Sequence, residues 1–173
     1  MARKRVLIVY GSGFGSTAEI AYAIAQELQE LDITTEVLPV EIARAPYADE
    51  AVIIGAPIRY DRWLIEVRDY VRTYQNELSS TSVAYFYTCL ALAKQPSNSF
   101  NSPQVYDQTL IKMNRNVEPI MVAGFSGTLQ PKLIPWYYRY PLKLIAIVKG
   151  VEDGDYRNWD MIRRWSRQGS KGV

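Results

Sequence analysis

The stretch Val6–Glu19, Val-Leu-Ile-Val-Tyr-Gly-Ser-Gly-Phe-Gly-Ser-Thr-Ala-Glu, carries the residues best suited to hold a charged ligand. Gly11, Gly13 and Gly15 let a backbone approach a ligand with no Cβ in the way, and Ser12, Ser16 and Thr17 add hydroxyl donors. Val6–Val9 reads as a buried strand and the residues after Thr17 as a helix, so the loop opens onto unpaired N–H groups at the positive end of a helix dipole. Such a turn binds phosphate without a Lys or Arg of its own. The Gly-Lys-Ser/Thr ending of a nucleoside triphosphatase loop is missing, because Gly15 is followed by Ser16 and Thr17. A dinucleotide loop fits poorly too, with Ser16 where the third glycine belongs. An ordinary strand-to-helix turn, with Ser12 or Ser16 as its cap, is the plainer alternative.

Two further stretches could meet a flat ring. In Gly55-Ala56-Pro57-Ile58-Arg59-Tyr60-Asp61-Arg62-Trp63, Gly and Pro shape a turn, and Tyr60 or Trp63 could stack on a ring or else serve as a buried aromatic. Thr88–Ala93, which includes Cys89, Leu90 and Ala91, is small and mostly apolar, and suits either close approach to a ring edge or core packing.

The chain has no histidine. Ser-His-Asp triads, Cys-His pairs and the common zinc sites are therefore ruled out, and no metal site is expected. An enzyme built from this sequence leaves the chemistry to a bound cofactor. The lone Cys89 cannot form an internal disulfide, which fits a reducing compartment. A net charge of +2 is too small for a nucleic-acid footprint, and the basic ends, Arg3-Lys4-Arg5 and Arg163, Arg164, Arg167 and Lys171, read as solvated. With 173 residues, 48% hydrophobic and 22% charged, one domain is expected. The apolar run within Met1–Tyr10 is too short for a signal peptide, so a cytoplasmic location is expected.

These residues need elements to place them. Strands are expected at Arg5–Tyr10, Ile33–Leu38, Glu50–Ala56, Ser82–Leu92 and Val117–Phe125. The first helix should turn Ile20, Ile24, Leu28 and Leu31 inward, and the next should bury Leu64, Val67, Val71, Tyr74 and Leu78. A third is expected around Gln104–Arg115, and a last at Tyr156–Arg167 with Trp159, Ile162 and Trp165 or Ser166 facing in. Alternation in Ile33–Leu38 marks an edge strand. Right-handed crossovers then predict an α/β doubly wound five-stranded parallel sheet of order 2-1-3-4-5, with the ligand at the carboxyl ends where the order reverses.

The hydroxyl-rich loop Ser12–Thr17, ending Gly-Ser-Thr, is similar to the loop with which flavodoxins hold the phosphate of FMN. Together with Ile54–Tyr60 and Gly124–Trp159, it makes most of the chain resemble the flavodoxin-type, menaquinone-dependent protoporphyrinogen IX dehydrogenases. The most specific part is an insertion between the fifth strand and the last helix, about residues 126–150, rich in Arg, Tyr, Trp and Leu. The resemblance implies a flavodoxin-like fold with FMN as cofactor. Its phosphate would lie on Ser12, Gly13, Phe14, Gly15, Ser16 and Thr17, and its ring beside Pro57, Ile58, Arg59, Tyr60, Trp63, Cys89, Leu90 and Ala91. The implied reaction oxidises protoporphyrinogen IX to protoporphyrin IX in haem biosynthesis, with a membrane quinone as acceptor. Arg59, Arg62, Lys132 or Arg139 would pair with substrate carboxylates, and water or Asp61 would handle protons.

An FMN electron carrier and an NAD(P)H:quinone reductase are the alternatives. The strongly acidic face of a carrier is missing from this slightly basic chain. Pro135–Val148 contains Arg139, Pro141 and Lys143 and falls short of the about 20 apolar residues that span a bilayer. Its first part, Trp136-Tyr137-Tyr138-Arg139-Tyr140, suits an interface, so peripheral membrane contact through 135–149 is expected, packing on its own domain being the alternative.

Overall fold

Apolar residues at every second position, on strands buried on both faces, dictate a sheet between two layers. The computed structural model describes residues 4–13, 15–47, 50–59, 62–89, 92, 116–129 and 154–172. The parallel strands are β1 (Arg5–Tyr10), β2 (Thr34–Pro39), β3 (Glu50–Arg59), β5 (Val83–Thr88) and β6 (Met121–Phe125), in the order β2-β1-β3-β5-β6. A short strand β4 (Arg62–Trp63) folds back antiparallel onto the end of β3. Counting only the parallel strands, this is the order predicted from the sequence, with β2 at the edge.

Each strand divides its side chains between two cores. Leu7, Val9, Val52, Ile54, Tyr85 and Tyr87 join one, covered by helix α2 (Ile65–Thr73) and Leu78 of helix α3 (Gln75–Ser79). Val6, Ile8, Ala51, Ile53, Ala84 and Phe86 join the other, covered by α1 (Ser16–Gln29) and α4 (Trp159–Gly169). Full burial of each large aliphatic chain contributes about 1.5–3 kcal/mol relative to exposure. The switch between cores at successive residues holds the register, since a slip of one would exchange both faces.

Several boundaries differ from those expected, and β5 ends at Thr88, four residues before the expected Leu92. β3 runs on through Gly55 and Pro57 to Arg59 where a turn was expected, because Gly55 gives its side-chain space to the Phe86 ring. Leu31 is exposed, because α1 stops at Gln29 and the chain reverses through Asp32, whose φ is 58°. The helix after β4 breaks at Tyr74 into α2 and α3. β6 starts only at Met121, four residues later than expected. The helix expected at Gln104–Arg115 and the segment 135–149 lie outside the described residues.

At the amino ends of β1 and β3, far along the strands from the candidate loops, charges are locked together. The Glu50 carboxylate, with its side chain 2% exposed, accepts both Arg44 guanidinium nitrogens at 2.9 Å and the Tyr47 amide at 2.9 Å, and pairs with Arg5 at 3.1 Å. Arg44 also reaches Glu36 and lies over the Tyr47 ring. Burial by itself would raise the Glu50 pKa, but the bonds from Arg44 and Tyr47 and the nearby Arg5 charge outweigh it and hold the carboxyl below its ordinary range. A depressed carboxylate stabilises the fold above its unfolded pKa, and that contribution disappears as pH falls through the folded value. Glu50→Gln is therefore expected to lose about 1–3 kcal/mol at neutral pH. Urea unfolding of both proteins should show the gap closing in acid, and a gap constant with pH would remove the charge from the explanation.

Candidate functional site

The carboxyl ends of β1, β3, β5 and β6 make one edge of the sheet. There β1 hands the chain to β2 on one side while β3 lies on the other, which opens a crevice at the reversal of strand order. The first wall of this crevice is the loop after β1. Gly11 still belongs to the sheet, its N–H donating to the Gly55 carbonyl at 2.9 Å. Beyond it the chain must turn sharply into α1, and Gly15 does so at φ 91° in the N-cap position. A left-handed residue at that place favours glycine.

Neither serine caps α1 in the way the plainer alternative requires. The helix start has no side-chain cap, and the Ser12 hydroxyl instead accepts the Gly15 N–H at 3.0 Å. The loop is thus braced from within, while the first-turn amides of α1 face outward at the positive end of the helix. Thr17 points the other way. It is buried, and its hydroxyl bonds the Thr88 hydroxyl at 2.9 Å, tying the helix start to the carboxyl end of β5. The Thr17 side chain is thus engaged in fixing the helix start.

The second wall is the β3–β4 hairpin. Ile58 pairs with Trp63 and Arg59 with Arg62, so the expected loop is two strands joined at residues 60 and 61. Pro57, Ile58 and Arg59 are half-buried at the rim. Trp63 is 3% exposed, packed edge-on against Tyr85 at 5.9 Å and Tyr87 at 6.1 Å. Of the two roles open to Trp63 in the sequence, the structure shows the buried aromatic, so no open ring face is left for stacking. The third wall begins at Cys89, itself buried, whose amide donates to Phe125 at 3.0 Å and continues the sheet by one residue. Phe14, Tyr60, Asp61, Leu90, Ala91, Lys132 and Arg139 lie outside the described residues.

Two contacts at this edge escaped the sequence reading, the first made by Thr88, which that reading places only in a stretch suited to a ring edge or to core packing. Thr88 holds Thr17, and a lone Thr at the end of the apolar run Val-Ala-Tyr-Phe-Tyr was the available signal. Gly127, just past β6, lies against the Ser16 hydroxyl. Next to it, strand β7 (Thr128–Leu129) pairs antiparallel with β8 (Gly154–Asp155), and the Tyr156 amide donates to the Gly127 carbonyl at 3.3 Å. Arg157, 7% exposed at its side chain, anchors this ladder to α1 by binding Asp155 at 2.7 Å and Glu19 at 2.5 Å over the Trp159 ring. Its hydrogen bonds hold the Asp155 carboxyl below its ordinary range despite some burial. Gly127 and Arg157 thus tie this ladder to the start of α1, beside the loop after β1.

With this geometry in place, comparisons with known proteins locate the chain. A model of the flavodoxin domain matches residues 7–154. The chain is 29% identical over 171 residues to the protoporphyrinogen IX dehydrogenase [quinone] of Escherichia coli K12, covering 95% of this chain and 93% of that protein. It is 27% identical to the protein of the same name from Leishmania major, covering 94% of this chain and 73% of the relative. Among solved structures, the flavodoxin of Fusobacterium nucleatum bound to flavin mononucleotide superposes with a TM-score of 0.59 at 12% identity, over 98% of this chain and 99% of that one.

Proposed function

Because the chain belongs to the flavodoxin domain family, we propose that it is an FMN-dependent oxidoreductase that oxidises protoporphyrinogen IX with a membrane quinone as acceptor. The observation that carries this reading is the sequence similarity to the Escherichia coli dehydrogenase, 29% identical through 95% of the chain, where the flavodoxin of Fusobacterium nucleatum shares the fold at 12% identity. The residues at the crevice suit the cofactor. A braced glycine loop, an uncapped helix start and hydroxyls at Ser12 and Ser16 match a phosphate, and the half-buried rim of Pro57 and Ile58 matches an apolar ring.

FMN supplies two-electron redox chemistry between a reduced tetrapyrrole and a quinone. The protein's part is binding and orientation. The amides of Gly13 and of the α1 first turn would hold the phosphate, and Thr17 fixes the helix start through Thr88. The exposed Arg62, with Lys132 and Arg139 of the insertion, meets the substrate's carboxylates. Protons released from the tetrapyrrole go to water or Asp61, since the chain has no histidine. The segment 135–149 touches the membrane surface from which the quinone comes.

The test is an anaerobic spectrum of FMN-loaded protein before and after protoporphyrinogen is added. Loss of the oxidised flavin band, restored by a menaquinone analogue, is the expected result. A band unchanged by porphyrinogen but bleached by NADPH would replace this reading with a nicotinamide-linked quinone reductase, and one bleached by neither would leave an electron carrier.

A further inference from the structure

Glu19 stands in the first turn of α1, the helix whose start would face the phosphate, and its amide donates to the Gly15 carbonyl at 3.0 Å. It lies three residues after Ser16, and residues so spaced share one face of a helix, with Cβ atoms about 5–6 Å apart. Both are on the side that meets the chain around β7 and β8, since the Ser16 hydroxyl lies against Gly127 and the Glu19 carboxylate is bound by Arg157. A negative charge therefore sits about one helical turn from a hydroxyl suited to a phosphate, after a loop, Gly11–Ala18, whose sequence contains no Lys or Arg.

Arg157 answers that charge. Its side chain is 7% exposed, whereas those of Glu19 and Asp155 are 56% and 37% exposed. It donates from Nε to Asp155 at 2.8 Å and from Nη2 at 2.7 Å, keeps Nη1 for Glu19 at 2.5 Å, and lies 4.5 Å from the centre of the Trp159 ring. Asp155 alone would satisfy the planar fork, so the bond to Glu19, 138 positions away in the chain, is what the fold adds. Held largely out of water, the guanidinium is screened less than an exposed cation. One guanidinium between two carboxylates leaves the trio with one negative charge over.

We propose that Arg157 masks Glu19 from the phosphate of FMN, and so sets the affinity for the phosphorylated flavin from outside the phosphate loop. The masking rests on the reading of this protein as an FMN enzyme. Arg157 acts through Glu19 and is a positioning residue for charge, with no contact to the flavin asked of it. Glu19 favours the start of α1, because an acid in the first turn suits the helix dipole, yet it opposes a phosphate bound at the same end. With Arg157 in place, one helix end can carry both.

Flavin fluorescence titrations of wild type, Arg157→Gln, Glu19→Gln, the double variant and Arg157→Lys with FMN and with riboflavin test this. The two partners of one ion pair are expected to move FMN binding in opposite directions. Arg157→Gln leaves two negative charges and should weaken FMN about three- to fivefold, while Glu19→Gln leaves none and should tighten it about two- to threefold. The double variant restores the wild-type balance and should bind FMN within about twofold of wild type, as should Arg157→Lys, which keeps the charge without the fork. Riboflavin, which has no phosphate, should change less than about twofold throughout, and the FMN differences should shrink at high salt. The factors stay small because Glu19 is more than half exposed. Weaker FMN binding in both single variants would show that the bridge holds the helix start mechanically, and unchanged binding in both would make it a surface pair; either overturns the masking while leaving FMN in place. If Arg157→Gln does not fold, Glu19→Gln decides alone, and binding no tighter than wild type overturns the proposal. A wild-type protein that binds neither flavin removes the FMN reading and the masking with it.

Discussion

Gly15→Val is expected to weaken FMN binding by about 100-fold while leaving the fold nearly as stable as before. At φ 91° a β-branched side chain is strained, and a non-glycine residue in this region costs about 1–3 kcal/mol. That energy corresponds to roughly 5- to 150-fold in a dissociation constant. Crowding is not the cause, because nothing among the described residues lies within 4 Å of a Cβ added at Gly15. The chain can relieve the strain only by changing the turn. That breaks the bond from the Gly15 amide to Ser12 and redirects the first amides of α1. Asn tolerates left-handed backbone better than Val, so Gly15→Asn should keep most of the affinity. Flavin titrations of the two variants check this, and equal losses would show that the turn is not what matters.

Trp165→Ala is expected to have the largest effect on stability, about 3–5 kcal/mol. Trp165 is 2% exposed and packs edge-on against Phe125 at 5.7 Å and Phe86 at 6.4 Å, joining α4 to β5 and β6. For a chain of this length each kcal/mol moves the melting temperature by about 2–4 °C, which gives a fall of roughly 6–20 °C. The indole N–H has no hydrogen-bond partner among the described residues. Phenylalanine would therefore lose area but no polar bond, and Trp165→Phe should retain more than half of the stability lost in the alanine variant. Calorimetry on both decides, and a phenylalanine variant as unstable as the alanine one would show that the N–H has a partner after all.

The sheet was legible in the sequence because its strands solve one local problem repeatedly. Val6–Val9, Ala51–Ile54 and Val83–Tyr87 are apolar on both faces, and that pattern, with a polar-sided Thr34–Leu38, is enough to set both the parallel pairing and the edge. The loop before α1 was legible for the same reason, since Gly and Ser act on their own backbone. What escaped depends on distant partners. Gly55-Ala56-Pro57 has the composition of a turn, and only Phe86, 31 positions along, makes it a strand by filling the space over Gly55. Trp63 has the look of a ring-stacking residue until Tyr85 and Tyr87 enclose it.

The two-residue ladder between β7 and β8 has a consequence for how this fold can vary. The chain leaves the sheet at Leu129 and returns at Gly154 beside its point of departure, clamped by Arg157. The two strands of the ladder are joined to each other, and lengthening a connection between fixed ends costs little, about 0.6 kcal/mol for each doubling. Descent with modification is free to lengthen, shorten or rewrite a connection held in this way without renegotiating the core.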